Sequence, residues 1–325
     1  MQESARAFLA GLVDYAGLFP PAALDLDTTA RNYAAYLRGS EAWMLGRLII
    51  PATRLSELLP LRREAGDPSR PWLLSVLSAA PERWEALPQA AIAVAGKVAK
   101  ALDDGGDRVE PDVFEQKLPP VPAAPVAGLE DYAAALDEHL SAPAGVFFEA
   151  ALTPRDPTAI RDVQATVEAL GELAVRRSAP GGRFLEGGFK LRCGGVEAGL
   201  YPDVDLVVAA LLACRRAGVA MKATAGLHHP LRHFRPDLGV YEHGFLNVFG
   251  AGVLLDVHDL DEQAVRRIVA EEDPSAFVFD GAVFRWRDLA ATAEQVVVAR
   301  RRRVTSFGSC SFDEPREDLR QLGHL

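Results

Sequence analysis

Eight short apolar runs, nearly all followed by a stretch of helical period, predict a (β/α)8 barrel. Two further observations support this. The stretch Gly187 to His229 reads strand, helix, strand, a βαβ unit whose strands must be parallel neighbours. A length of 325 residues suits one large α/β barrel, so we expect a single domain over 1–325.

In chain order, the first strand is Leu12 to Phe19, stopped by Pro20-Pro21 and followed by a helix from about Thr28 to Leu37. The second is Arg47 to Ala52, with a helix beginning near Ser56. The third is Trp72 to Ser78, followed by helical sequence from Pro81, a residue suited to the first turn. Asp112 to Leu118 is the fourth, before a Pro/Ala-rich link at 119–126 and a helix from Leu129 to Leu140. The fifth is Gly145 to Leu152, and a helix from about Pro157 to Arg177 leads to the sixth, Phe189 to Cys193. Asp203 to Gly218 is helical, with apolar Leu206, Val207, Ala210, Leu211 and Cys214 on one face. Ala220 to Ala225 is the seventh strand, Thr305 to Phe312 the eighth, and a last helix starts near Glu314. Between strands seven and eight lies an elaboration at about 231–303. It holds helices at Phe245 to Leu255 and Asp261 to Glu271, and a hairpin turning at Asp280-Gly281. We expect it to pack on the barrel and touch the mouth of the site.

A net charge of −10 argues against a nucleic-acid surface. The run Arg300 to Arg303 reads as the solvated end of a helix. No apolar run reaches the roughly 18 residues of a membrane span. The N-terminus MQESARAFLAGLVDY lacks the basic start of a signal peptide. Cys193, Cys214 and Cys310 form no C-x-x-C pair, which suggests reduced thiols and a cytoplasmic setting. A homo-oligomer is compatible with the sequence, and no cofactor is called for.

Barrel chemistry lies at the C-terminal strand ends. The polar residues there are Asp14, Glu115, Lys117, Glu149, Lys190, Arg192, Lys222, Thr224, His228, His229, Ser309 and Ser311. By alternation Glu115 shares a face with Lys117, Lys190 with Arg192, and Lys222 with Thr224. Inward-facing charges in such number need partners or a task, and they point to a small anionic substrate and acid–base chemistry. A lysine in a buried parallel strand is costly, and Lys190 and Lys222 stand on adjacent strands. Burial beside a second cation should depress the pKa of one lysine and make it a nucleophilic amine for a Schiff base.

These residues resemble a known family. The pattern FK-x-x-x-GG, then a helix, then MKATAG is similar to deoxyribose-phosphate aldolase and its class I aldolase relatives. VDYAGL resembles that family's first strand, VFFEAALT its fifth and SFGSCSF its last, in the same order along the chain. The combination KLRCGG, KATAGLHHP and FGSCSF also resembles a bacterial family with no assigned activity. The aldolase resemblance implies Lys190 as the Schiff-base lysine, Lys222 as the lysine that lowers its pKa, and Glu115 near the position of the proton-relay aspartate. Asp14 and Glu149 are carried over as the acidic residues of the first and fifth strands. It further implies a phosphate site at Gly226, Ser309 and Ser311, with Gly194 and Gly195 in the preceding glycine loop.

The chain departs from that pattern at AGLHHPLRH, where His228, His229 and Pro230 reshape the loop, and at Arg192, a fork suited to carboxylate or phosphate. The expected activity is therefore that of a Schiff-base lyase acting on a small anionic carbonyl compound other than deoxyribose phosphate. Three rivals stand beside it: a metal-dependent lyase or hydrolase using His228 and His229, a Schiff-base-free decarboxylase or isomerase, and a non-catalytic anion-binding barrel.

Overall fold

The computed structural model describes residues 2–67, 70–104, 108–122, 125–177 and 184–325, with Leu185 described in its backbone only. Of the Pro/Ala-rich link at 119–126, positions 123–124 lie outside the described residues. Seven parallel strands come first: β1 (Val13–Tyr15), β2 (Leu45–Pro51), β3 (Trp72–Leu77), β4 (Val109–Lys117), β5 (Ala144–Glu149), β6 (Phe184–Arg192) and β7 (Met221–Thr224). The antiparallel pair β8 (His233–Arg235) and β9 (Val240–Glu242) follows, then a separate antiparallel sheet of β10 (Phe277–Asp280), β11 (Val283–Trp286) and β12 (Leu289–Thr292). Finally β13 (Val304–Ser309) inserts between β7 and β1, pairing parallel with both, and closes an eight-stranded barrel.

The helices are α1 (Glu3–Leu9), α2 (Leu26–Arg38), α3 (Leu55–Ala65), α4 (Leu87–Asp103), α5 (Val126–His139), α6 (Ala159–Arg176), α7 (Val204–Ala217), α8 (Phe245–Val257), α9 (Glu262–Val269), α10 (Ala293–Arg302) and α11 (Asp313–Gln321). Their ends follow local chemistry. Asp203 caps α7 by accepting from the Leu206 amide at 2.8 Å, and Gly218 ends it in the left-handed region at φ 72°. Thr292 and Gln295 form a reciprocal capping box on α10. No helix among the described residues is long and apolar enough to cross a membrane.

The boundaries differ from the sequence reading where loops begin. β1 is only three residues long, and Ala16, Phe19 and Pro20 of the loop after it line a cavity. Pro81 lies in a loop, and α4 starts at Leu87 with Pro88 in the first-turn position expected of Pro81. β6 begins five residues earlier than expected, at Phe184.

The elaboration is built around α8, which is apolar on every side and buried along almost its whole length. Its single buried amide, Asn247, donates to the Ile268 and Glu271 carbonyls at 2.9 and 2.8 Å and accepts from the Arg232 amide at 2.8 Å. One side chain thus ties α8 to the end of α9 and to the chain before β8. The hairpin expected at Asp280-Gly281 is present and gains a third strand, β12.

Arg300 is not solvated. It is buried, stacks over Phe249, and donates to the carbonyls of Phe8 at 2.8 Å, Val304 at 2.6 Å and Ala10 at 3.2 Å, and to that of Thr305. Burial pushes its guanidinium down to about 9. Arg301 and Arg302 remain exposed. Removing one donor that satisfies four carbonyls should be expensive, so Arg300→Met is expected to cost about 3 kcal/mol or more in urea denaturation. Arg302→Met should stay within about 0.5 kcal/mol. Equal effects for the two variants would show that Arg300 is not the clamp described.

Candidate active site

Parallel register sets four charged residues side by side across four strands: Lys117 opposite Glu149, Glu149 opposite Lys190, and Lys190 opposite Lys222. Neighbours in register project to the same face, here the barrel interior. Beneath them Val113, Phe147 and Ala220 form a small apolar cluster. Gly188 makes room for it, since a Cβ there would lie 2.4 Å from the Phe147 ring. The charged layer therefore rests on an apolar plug.

The charges form one chain. Lys222 Nζ lies 2.6 Å from Asp14 Oδ2 and 2.7 Å from Glu115 Oε1. Lys190 Nζ lies 2.6 Å from Glu115 Oε2 and 2.8 Å from Glu149 Oε2. Arg192 Nε donates to the other Glu149 oxygen at 3.2 Å. Three cations alternate with three carboxylates. Ser75 donates to Glu115 at 2.7 Å, while Ser306 and the Arg47 amide each donate to Asp14 at 2.7 Å.

This pairing reverses the expected protonation. Burial disfavours the Lys190 ammonium, but attraction to Glu115 and Glu149 outweighs it and raises its pKa above the ordinary lysine value. Glu115 and Glu149 are likewise penalised by burial. Their cationic neighbours, Lys190 first in each case, hold both below the usual carboxylate range. Lys190 is thus a charged ammonium between two carboxylates, not an amine freed by Lys222.

Above the layer opens a cavity of about 370 Å³. Glu115, Glu149, Lys190, Arg192, Gly195, Thr224 and His228 line it, as does Lys117, which is exposed and has no ion-pair partner among the described residues. Lys190 reaches it with a side chain 7% exposed; Lys222, at 1%, lies beneath together with Asp14. The sequence reading missed its apolar wall, which includes Phe19, Pro20, Leu77, Val196 and Leu200. It also missed Ser75 and Ser306. None of residues 231–303 lines the cavity, so the elaboration does not shape this mouth as expected.

Several expected anion ligands are placed elsewhere. Ala225 and Gly226 both adopt left-handed backbone, at φ 57° and 63°. The turn presses Gly226 onto the β6 loop, where its Cβ would lie 2.5 Å from the Cys193 carbonyl oxygen. A Cβ on Gly194 would lie 2.7 Å from the Gly226 Cα, so neither glycine lines the cavity. Ser309 Oγ accepts from the Ser311 amide at 3.3 Å, and Ser311 Oγ accepts from the Glu314 amide at 3.2 Å, at the start of α11. Both serines thus serve the loop.

The two histidines diverge. His228 Nδ1 is 3.0 Å from Glu314 and 4.0 Å from Cys310 Sγ, whereas His229 Nδ1 is 2.6 Å from Asp318. Among the described residues no group of three or more His, Cys, Asp or Glu side chains is arranged to share a metal ion.

Neither a protein-family model nor a curated protein matches this sequence.

Burial opposes charge on His228, yet its contacts with Cys310 and Glu314 push it up to about 10. A folded value above the unfolded value of about 6.5 stabilises the fold fully below that pH, and the contribution disappears as pH rises towards the folded value. The melting temperature of His228→Gln should therefore fall furthest below that of the parent near pH 6, with the gap closing on the way to about pH 10. A gap independent of pH would contradict a charged His228.

Proposed function

We propose that this barrel is a lyase of the aldolase type, forming a Schiff base between Lys190 and a small anionic carbonyl compound. One observation carries the reading: of the two buried lysines, only Lys190 reaches the cavity, with carboxylate oxygens 2.6 and 2.8 Å from its Nζ. The order of motifs along the chain, similar to that of class I aldolases, supports it.

In this mechanism Lys190 first passes a proton to Glu115 or Glu149, both within direct reach. The neutral amine then attacks the carbonyl carbon, and the returned proton leaves with the carbonyl oxygen as water. The iminium then accepts the electron pair of the bond between its α and β carbons. The β-hydroxyl gives its proton to a carboxylate as that carbon becomes a carbonyl, and the enamine left behind is protonated and hydrolysed to free Lys190. Lys222, itself held by Asp14, holds Glu115 from below; both stay out of the cavity, which makes them positioning residues. Lys117 and Arg192 supply positive charge above the reacting centre for the anionic group.

The raised pKa of Lys190 favours one second reading, in which the ammonium acts as an acid toward an enolate and no Schiff base forms. Borohydride reduction with a panel of aldehydes and ketones separates the two. The proposal expects a stable adduct on Lys190, absent in Lys190→Arg, which keeps a cation between the two carboxylates. No adduct with any carbonyl compound would favour the enolate reading. On a substrate so identified, Glu115→Gln should lower turnover by roughly 10²- to 10⁴-fold, the range of general acid–base catalysis. Full turnover by Lys190→Arg would remove Lys190 from the chemistry.

A further inference from the structure

Building on the Schiff-base reading, we infer that the substrate is a 2-oxo acid, with its carboxylate bound by the outer edge of Arg192 while Lys190 takes the adjacent carbonyl carbon. Three observations on this side of the barrel lead there.

The first is spacing. Glu149 bridges the two cations, its Oε2 2.8 Å from Lys190 Nζ and its Oε1 3.2 Å from Arg192 Nε. Two oxygens of one carboxyl group thus set the distance between amine and guanidinium. The groups these cations would bind are correspondingly close on the ligand. A 2-oxo acid carries its electrophilic carbon and its carboxylate on neighbouring carbons. A phosphorylated aldehyde separates them by a longer chain.

The second is what Arg192 has left to offer. Nε is taken by Glu149, and Nη1 reaches the Gly194 carbonyl at 3.4 Å, a long contact. Nη2 has no hydrogen-bond partner among the described residues, and the side chain is 40% exposed in the cavity. The Nη1–Nη2 edge is a planar pair of donors, matched to a carboxylate by two parallel hydrogen bonds. Glu149 fixes the orientation of that edge from behind.

The third is the fate of the loops after β6 and β7. Gly194 and Gly226 pack backbone against backbone, and Ser309 and Ser311 are engaged in the loop before α11. None of these four residues lines the cavity, so the phosphate ligands that the resemblance implies are not presented to the compound at Lys190. Phe19, Leu77, Val196 and Leu200 add an apolar lining to the cavity, which suits a short alkyl or aryl tail better than a polyol.

The bond-forming step balances without a further reactant. The Lys190 ammonium and the 2-oxo group condense to an iminium, one carbon–oxygen double bond giving way to one carbon–nitrogen double bond. One water leaves, and the positive charge stays on nitrogen. The Arg192-bound carboxylate lies next to that charge.

The test is borohydride trapping on the full chain, comparing pyruvate and 2-oxobutyrate with butanone, propanal and glyceraldehyde 3-phosphate. Adducts are located by peptide mass mapping, and the concentration for half-maximal labelling is read for each compound. The 2-oxo acids should label Lys190 at concentrations at least about tenfold below butanone. In Arg192→Gln that concentration should rise at least about tenfold more for the 2-oxo acids than for propanal. Retained propanal labelling also shows that the variant is folded. Arg192→Lys, which keeps charge but loses the planar fork, should fall between the two. Tightest labelling by glyceraldehyde 3-phosphate, or a 2-oxo acid preference untouched in Arg192→Gln, overturns the inference and leaves the Schiff-base lysine standing. Absence of any adduct overturns both.

Discussion

The interior of this barrel depends on one chain of alternating charge: Asp14, Lys222, Glu115, Lys190, Glu149, Arg192. Each inner member has an opposite charge on either side. That arrangement makes a buried ionic layer tolerable, because removing water from isolated charges costs several kcal/mol per ion and attraction repays it only when the geometry is good. It also fixes register. The period of a strand is two, so a one-residue slip of β6 would carry Lys190 and Arg192 out of the interior together. Glu115 would then face Lys222 alone, and Glu149 would face none of its present partners. The strands are locked by charge as well as by apolar packing.

The same chain sets the chemistry. A lysine next to another lysine invites the argument that repulsion frees an amine, but one carboxylate, that of Glu115, stands between the two ammonium groups. Glu115 contacts both, one oxygen to each. Like-charge repulsion is thus screened at its source, and the proton remains on Lys190 until a ligand changes the balance. In the proposed reaction, a substrate carboxylate would add negative charge near Arg192. A carbonyl carbon next to Nζ supplies the reason for the proton to move to a carboxylate already 2.6 to 2.8 Å away. Proton transfer and substrate capture would in that reaction be joined at Glu149, which contacts both Lys190 and Arg192.

Much of this was legible in the sequence. Lys190 and Lys222 stood out because charged residues interrupt runs that are otherwise apolar on both sides. Alternation placed Glu115 and Arg192 on the inner face without reference to any partner. What stayed hidden was of two kinds. Ser75 and Ser306 look like ordinary strand residues, and only barrel closure brings them onto Glu115 and Asp14. Arg300 sits in a run of arginines that reads as solvated, and two of its acceptors, Phe8 and Ala10, lie at the opposite end of the sequence. The divergence of the two histidines has a local cause. Two left-handed residues, Ala225 and Gly226, turn the backbone just before them, and His228 and His229 end on different carboxylates of α11. A pair of adjacent letters carries no information about that divergence.

The division between strands and loops then says where this barrel can change. Every member of the charge chain sits on a strand: β1, β4, β5, β6 or β7. The apolar wall is different. Phe19, Pro20, Val196 and Leu200 come from loops after β1 and β6, while Ile49 and Leu77 stand on β2 and β3. Groups that must hold sub-ångström geometry are built on rigid elements, whereas surfaces that select a tail can sit on segments that tolerate exchange. The elaboration between β7 and β13 follows the same logic from outside. It contributes no residue to the cavity, and its helix α8 buries an apolar surface that packs against the barrel near β13. Its extra length serves the wall of the barrel, and the loops after β1 and β6 line the mouth.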